Sequence, residues 1–200
     1  MLKTTFLNNV LNQYKIKPYL VLLFLIIFSS TTFSETKLVI LGSGTPNPDP
    51  NRFGSGYAII VNEKAYIVDF GPGIVRRISA MSPSWGGEFS AMELENINIA
   101  FLTHIHSDHS GALADLILTP WVMGRDEPLK LFGPQGLKKM AKKISEAYED
   151  DINYRLYGSQ PANKLGYLTN VSEIFDDGLI YKDDNVEVTA FKNSHGDLED

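Results

Sequence analysis

The chain has 200 residues, 44% of them hydrophobic, and a formal net charge of −6, enough apolar material for one globular domain with its own core. It contains no cysteine, which excludes a disulfide framework, a thiolate metal site, a cysteine nucleophile and lipoprotein attachment. All 24 acidic residues follow position 34 and three of the 18 basic ones precede it, so residues 35–200 carry −9 and general binding to nucleic-acid phosphates is disfavoured.

Lys3, Lys15 and Lys17 precede an unbroken apolar run from Tyr19 to Phe28, which exits through small hydroxyl residues to Ser34. A basic start, a short apolar core and a small-residue exit form the pattern of a secretory signal peptide, cleaved near Ser34 or at Ser30. The run is shorter than the roughly 20 residues that span a bilayer, so a permanent anchor is the second reading. The first reading implies an exported domain, periplasmic or secreted, with no stable membrane association after cleavage.

From there strand and helix signals alternate. Thr36 to Leu41 reads as a strand and Gly42 to Gly56 as a Gly/Pro/Asn-rich loop. Tyr57 to Val61 and Ala65 to Val68 read as a hairpin around Asn62-Glu63-Lys64. A short helix through Ile78, a loop from Ser82 to Glu88, a strand from Ile97 to Thr103 and a helix from Gly111 to Met123 follow. Leu129 to Phe132 is a strand, Gly136 to about Tyr148 a helix, and Val186 to Phe191 the last strand, delivering Asn193-Ser194-His195. The pattern is that of a single α/β domain with mixed hairpin and crossover connections.

Three of the four histidines fall in the run His104-Ile105-His106-Ser107-Asp108-His109, and the fourth is His195. Imidazoles and a carboxylate at this spacing are ligands for zinc or a similar first-row metal, placed on a loop at the C-terminal end of a strand, where open α/β sheets carry their sites. His104 and His106 alternate along an extended segment and reach one ion, while Asp108 and His109 turn toward a neighbouring position. The loop Leu41-Gly42-Ser43-Gly44-Thr45-Pro46 lacks the full glycine fingerprint of a dinucleotide fold and the Gly-Lys-Ser/Thr of a P-loop, and is read as a turn closing over the site. Asp69, at a strand end, is read as orienting the metal loop by hydrogen bonds, with a structural cap as the alternative.

The His-x-His-x-Asp-His run, the upstream Val68-Asp69-Phe70-Gly71 and the distal His195 resemble the metallo-β-lactamase superfamily of dinuclear hydrolases. Leu41 to Pro46 ahead of Arg52-Phe53-Gly54, together with Leu131-Phe132-Gly133-Pro134-Gln135-Gly136-Leu137, resembles its ribonuclease Z and arylsulfatase-like branch. The resemblance implies an αββα sandwich with two divalent metals, zinc first and manganese or iron as alternatives. It assigns His104, His106 and His195 to one metal and Asp108 and His109 to the other. It further implies hydrolysis by a metal-bound hydroxide that Asp108 orients as the catalytic carboxylate, and a homodimer.

The chain departs from that pattern. The family's bridging aspartate and its further histidine on later strands have no counterpart before Asp200, and neither Asp197 nor Asp200 is nominated. The expectation is therefore a sandwich whose C-terminal half is incomplete. Ala112 stands where many relatives carry glycine. Residues 144–185 hold nine acidic and three basic residues, so a basic RNA-gripping arm is not expected there. The reading that follows is an exported hydrolase of a small-molecule ester, a phosphodiester, sulfate or lactone, with nucleic acid disfavoured as a partner. A ribonuclease Z-like endonuclease acting on tRNA 3′ ends, and a catalytically inactive truncated metal-binding domain, are the alternatives.

Overall fold

The computed structural model describes residues 35–159, 161–195 and 198–199, with side chains described up to Ser194. The leader expected in residues 1–34 and the positions Asp197 and Asp200 lie outside the described residues. Among those described, no helix is long and apolar enough to cross a membrane.

A two-residue turn sets the register of the first hairpin. Asn62 and Glu63 both take positive φ, 47° and 59°, and the turn closes with Val61 opposite Lys64, the mirror-image geometry that matches strand twist. Lys64, expected in the turn, already belongs to a strand. Around this hairpin the strands β1 (Thr36–Gly42), β2 (Gly56–Val61), β3 (Lys64–Val68), β4 (Ile99–Phe101), β5 (Leu129–Pro134) and β6 (Thr169–Ile174) form one sheet in sequence order. β1, β2 and β3 pair antiparallel, whereas β3 through β6 run parallel.

Parallel pairing requires crossovers, and these carry the helices. α1 (Ile74–Met81), α2 (Ser107–Ser110), α3 (Leu113–Val122), α4 (Leu137–Ala147) and α5 (Glu149–Tyr157) follow in chain order. Ile67, Ile74, Ile78, Leu116, Trp121 and Leu131 are at most 1% exposed and belong to the core between sheet and helices. The opposite face of the sheet carries Val61, Tyr66, Ile99 and Phe101, and against it pack Ile180, Tyr181 and Val188 from a second small sheet, β7 (Gly178–Lys182) with β8 (Glu187–Ala190), and Val186 from the turn between its strands. Helices, first sheet and second sheet are thus three successive layers of the expected sandwich.

Several expectations need correction. The strand expected over 97–103 is hydrogen-bonded only over Ile99–Phe101, and the helix expected over 111–123 spans Leu113–Val122 and is preceded by a separate one-turn helix, Ser107–Ser110. Leu113, the first residue of the longer helix, follows Gly111 and Ala112 in the break. The loop after α1 contains a 3-10 turn, Pro83–Trp85. β6, β7 and α5 had no clear sequence signal. β6 reads Thr-Asn-Val-Ser-Glu-Ile and lies at the sheet edge, where one side stays wet and polar residues are tolerated.

Candidate metal centre

Because β3 and β4 are parallel neighbours, their C-terminal ends open on the same edge, and Asp69 and Thr103 leave the sheet side by side. The Asp69 N–H donates to Phe101 O at 2.8 Å, and Asp69 holds a left-handed φ of 58°, a conformation costly for a non-glycine residue. That turn aims its carboxylate, 2% exposed, under the histidine loop. Oδ1 accepts from the Thr103 N–H at 2.8 Å and from the Thr103 hydroxyl at 2.9 Å, while Oδ2 accepts from His109 Nδ1 at 2.7 Å.

These bonds assign the tautomers. With its proton given to Asp69, the Thr103 hydroxyl accepts from His104 Nδ1 at 3.0 Å. Both His104 and His109 then carry their hydrogen on Nδ1 and present Nε2 as the lone-pair nitrogen, as a ligating imidazole requires.

The backbone of the loop is held as firmly. Ser55 N donates to Asp108 O at 2.8 Å, Phe70 N to His109 O at 2.7 Å, and Gly71 N to Ser55 O at 2.9 Å. A Cβ at position 71 would sit 1.9 Å from Asp108 O, so only glycine lets the chain pass here. The glycine-rich loop between β1 and β2 thus reaches the site through Ser55. Ala112 is 5% exposed, and its N–H donates to Phe70 O at 2.8 Å.

The ring centroid of His104 lies 4.8 Å from that of His106 and 4.0 Å from that of His109. Asp108 follows on the first turn of α2, with Oδ2 3.6 Å from His109 Nε2. Its Oδ1 is buried and has no hydrogen-bond partner among the described residues. A buried carboxylate oxygen without a donor is costly, and a cation among three imidazoles is the group that would satisfy it. The donor chemistry therefore fits a divalent ion, although among the described residues no three such groups form a ready-made shell. The structure brings together Asp69, His104, His106, Asp108 and His109. The backbone of His195 lies in a two-stranded pair, opposite Leu198, and its side chain is outside the described residues. Thr103 and Ser55 were missed from sequence; adjacency to His104 was the signal for Thr103, and none existed for Ser55.

Beside the site, a cavity of about 750 Å³ runs from Thr103 and His104 between the first sheet and the β7–β8 hairpin, bordered by Tyr57, Phe132, Asp176 and Lys192. Burial, and then the field of Asp69, pushes the Tyr57 hydroxyl above its ordinary pKa.

Comparison with known proteins identifies the family. Residues 49–153, more than half of the chain, match the metallo-beta-lactamase superfamily. The chain is similar to ribonuclease Z of Mycobacterium bovis (strain BCG / Pasteur 1173P2), 32% identical over 123 residues, covering 60% of this chain and 41% of the relative. It is also similar to ribonuclease Z of Mycobacterium avium (strain 104), 30% identical over 162 residues, 80% of this chain and 54% of that one. The chain therefore spans about half the length of the curated relatives it matches. Among solved structures, human tRNase Z, short form, superposes with a TM-score of 0.63 at 19% identity, covering 82% of this chain and 62% of that chain. A diphosphatase from the PhnP family gives 0.53 at 15% identity, over 82% and 60%. These relatives overturn the expectation that nucleic acid is disfavoured as a partner. They match the ribonuclease alternative better than the small-ester reading, because net acidity averages over the whole surface and says nothing of a local binding face.

Proposed function

The chain belongs to the metallo-beta-lactamase superfamily, and from that premise we propose a metal-dependent phosphodiesterase acting on RNA, in which His104, His106, Asp108 and His109 hold divalent cations and His195 adds an imidazole. The observation that carries this reading is the partnerless Asp108 Oδ1 beside three clustered imidazoles; the ribonuclease Z relatives supply the substrate class. When bound, a divalent cation supplies Lewis-acid stabilisation of phosphoryl charge and acidifies water.

The remaining work falls to the protein. Asp69 holds the Nδ1 proton of His109 directly and that of His104 through Thr103, which would leave Nε2 of both rings to hold the ions. Asp108 would hold a cation through Oδ1 and orient the attacking water beside it. Tyr57 borders the cavity that opens beside Thr103 and His104, where a substrate would approach the ions.

The test is to load the purified chain with zinc or manganese and to measure bound metal and cleavage of an RNA with a single-stranded 3′ tail. His106→Ala should lose stoichiometric metal, since the remaining ligands seldom hold zinc tightly, and cleavage should go with it. Unchanged metal content in that variant would refute the ligand assignment.

A further inference from the structure

Helix α4 carries a charge pattern opposite to that of the rest of the domain. Lys138, Lys139, Lys142 and Lys143 are all exposed, while Leu137 and Ala141 are fully buried and Met140 and Ile144 partly so. At 100° per residue the four lysines occupy one continuous arc opposite the buried stripe. One acid shares that arc, Glu146, paired to Lys143 at 2.6 Å and to Lys142 at 3.7 Å. The helix is net positive within residues 35–200, which carry −9. Its acidic neighbours are Glu149, Asp150 and Asp151 beyond its C-terminus, and Glu173, whose Oε1 accepts from Gly136 N and Lys138 N at its start.

The helix is also joined to the catalytic edge. A Cβ on Gly133 would meet Leu137 Cδ2 at 2.8 Å and Leu102 Cβ at 2.9 Å, so the first residue of α4 and the residue that precedes Thr103 and His104 converge over one glycine of β5. Pro134, at the end of β5, borders the same cavity as His104.

We infer that the lysine face of α4 binds the phosphate backbone of an RNA strand whose scissile bond reaches the metal edge. The inference rests on the ribonuclease reading for its substrate and on charge complementarity for its surface. Lysine suits the task because backbone contacts need point charges rather than base-edge geometry.

The test is equilibrium binding of the full chain to an RNA stem-loop with a single-stranded 3′ tail, in chelator so that neither turnover nor bound metal contributes. Three proteins are compared: the wild type, a variant with Lys138, Lys139, Lys142 and Lys143 changed to Gln, and a charge-matched control with Lys37, Lys130, Lys164 and Lys182 changed to Gln. The α4 variant should bind about tenfold more weakly or worse, and its slope of log affinity against log salt should fall by about three, the value for four single-strand contacts. The control should stay close to wild type. Equal losses in both variants, or no wild-type affinity for RNA, would overturn the inference, as would binding to phosphatidylserine vesicles that the α4 variant alone loses while RNA affinity is unchanged. Failure of the ribonuclease reading is separate: it appears as absent cleavage by the metal-loaded wild type, whatever the chelated chain binds.

Discussion

At the scale of single residues, Arg125 shows how a buried charge can be satisfied by backbone carbonyls. It is 1% exposed and spends all five N–H groups on carbonyls. Nε and Nη2 donate to Gly166 O at 3.2 and 2.7 Å, Nη2 also to Ile117 O at 2.6 Å, and Nη1 to Ile97 O and Leu116 O at 3.0 and 3.1 Å. The cause lies in α3, where Pro120 has no N–H to give the carbonyl four residues back. That carbonyl is Leu116 O, and the guanidinium takes the missing donor's place. Burial pushes the Arg125 pKa down to about 10, so it remains charged at neutral pH. Arg125→Met keeps the volume but strands four carbonyls, and should cost about 3–5 kcal/mol, read as a lower urea midpoint at unchanged m-value. A shift of under about 1 kcal/mol would mean that water replaces the guanidinium.

At the scale of elements, the β7–β8 hairpin is fastened to the first sheet by a polar clamp at its turn. Asp183 Oδ2 accepts from Lys64 Nζ, Tyr66 Oη and Tyr181 Oη, each at 2.7 Å, and Oδ1 accepts from the N–H groups of Asn185 and Val186. Burial opposes ionisation of Asp183, but the hydrogen bonds from Lys64, Tyr181 and Tyr66 outweigh it and hold the carboxyl well below the usual range. Burial and the bond to Asp183 push Tyr66 up to about 12. A carboxyl whose folded pKa is depressed adds stability above its unfolded pKa of about 3.9 and loses it as pH falls below that value. Asp183→Asn should therefore destabilise by about 1–2 kcal/mol at pH 7, with the gap from wild type closing as pH drops below about 4. Parallel stability curves down to pH 2 would contradict the clamp. These elements also mark the limit of what the sequence discloses. β1 to β3 are apolar runs broken at Asn62, and the histidine run announces its own chemistry. The clamp joins Lys64 to Asp183, and Asp69 joins Thr103 and His109, across separations that no local pattern records. The α4 lysines end just before an acid-rich stretch, and counting charge along the chain there hides a face that only helical geometry separates.

At the scale of the whole molecule, the central sheet has two unequal faces. One is sealed by helices into a continuous core, with Leu129 and Leu131 of β5 fully buried. The other is covered, among the described residues, by the β7–β8 hairpin and keeps the 750 Å³ cavity, with Phe175, Leu179 and Phe191 more than half exposed. Adjacent residues of one strand point to opposite faces, so β5 offers a comparison within two positions. Leu131 faces the helices. Phe132 faces the cavity and contacts Phe101 and Tyr181 at centroid distances of 5.2 and 5.4 Å. In a uniformly packed core the larger aromatic would cost more to truncate, because both the transfer and cavity terms grow with the volume removed. Here Phe132 already borders open space, so its removal enlarges a cavity that water can enter, whereas removing Leu131 opens a void in close-packed surroundings. Leu131→Ala should cost about 3–4 kcal/mol and Phe132→Ala only about 1–2, measured by urea unfolding of the same chain. The reverse order would place the tightly packed core on the hairpin side.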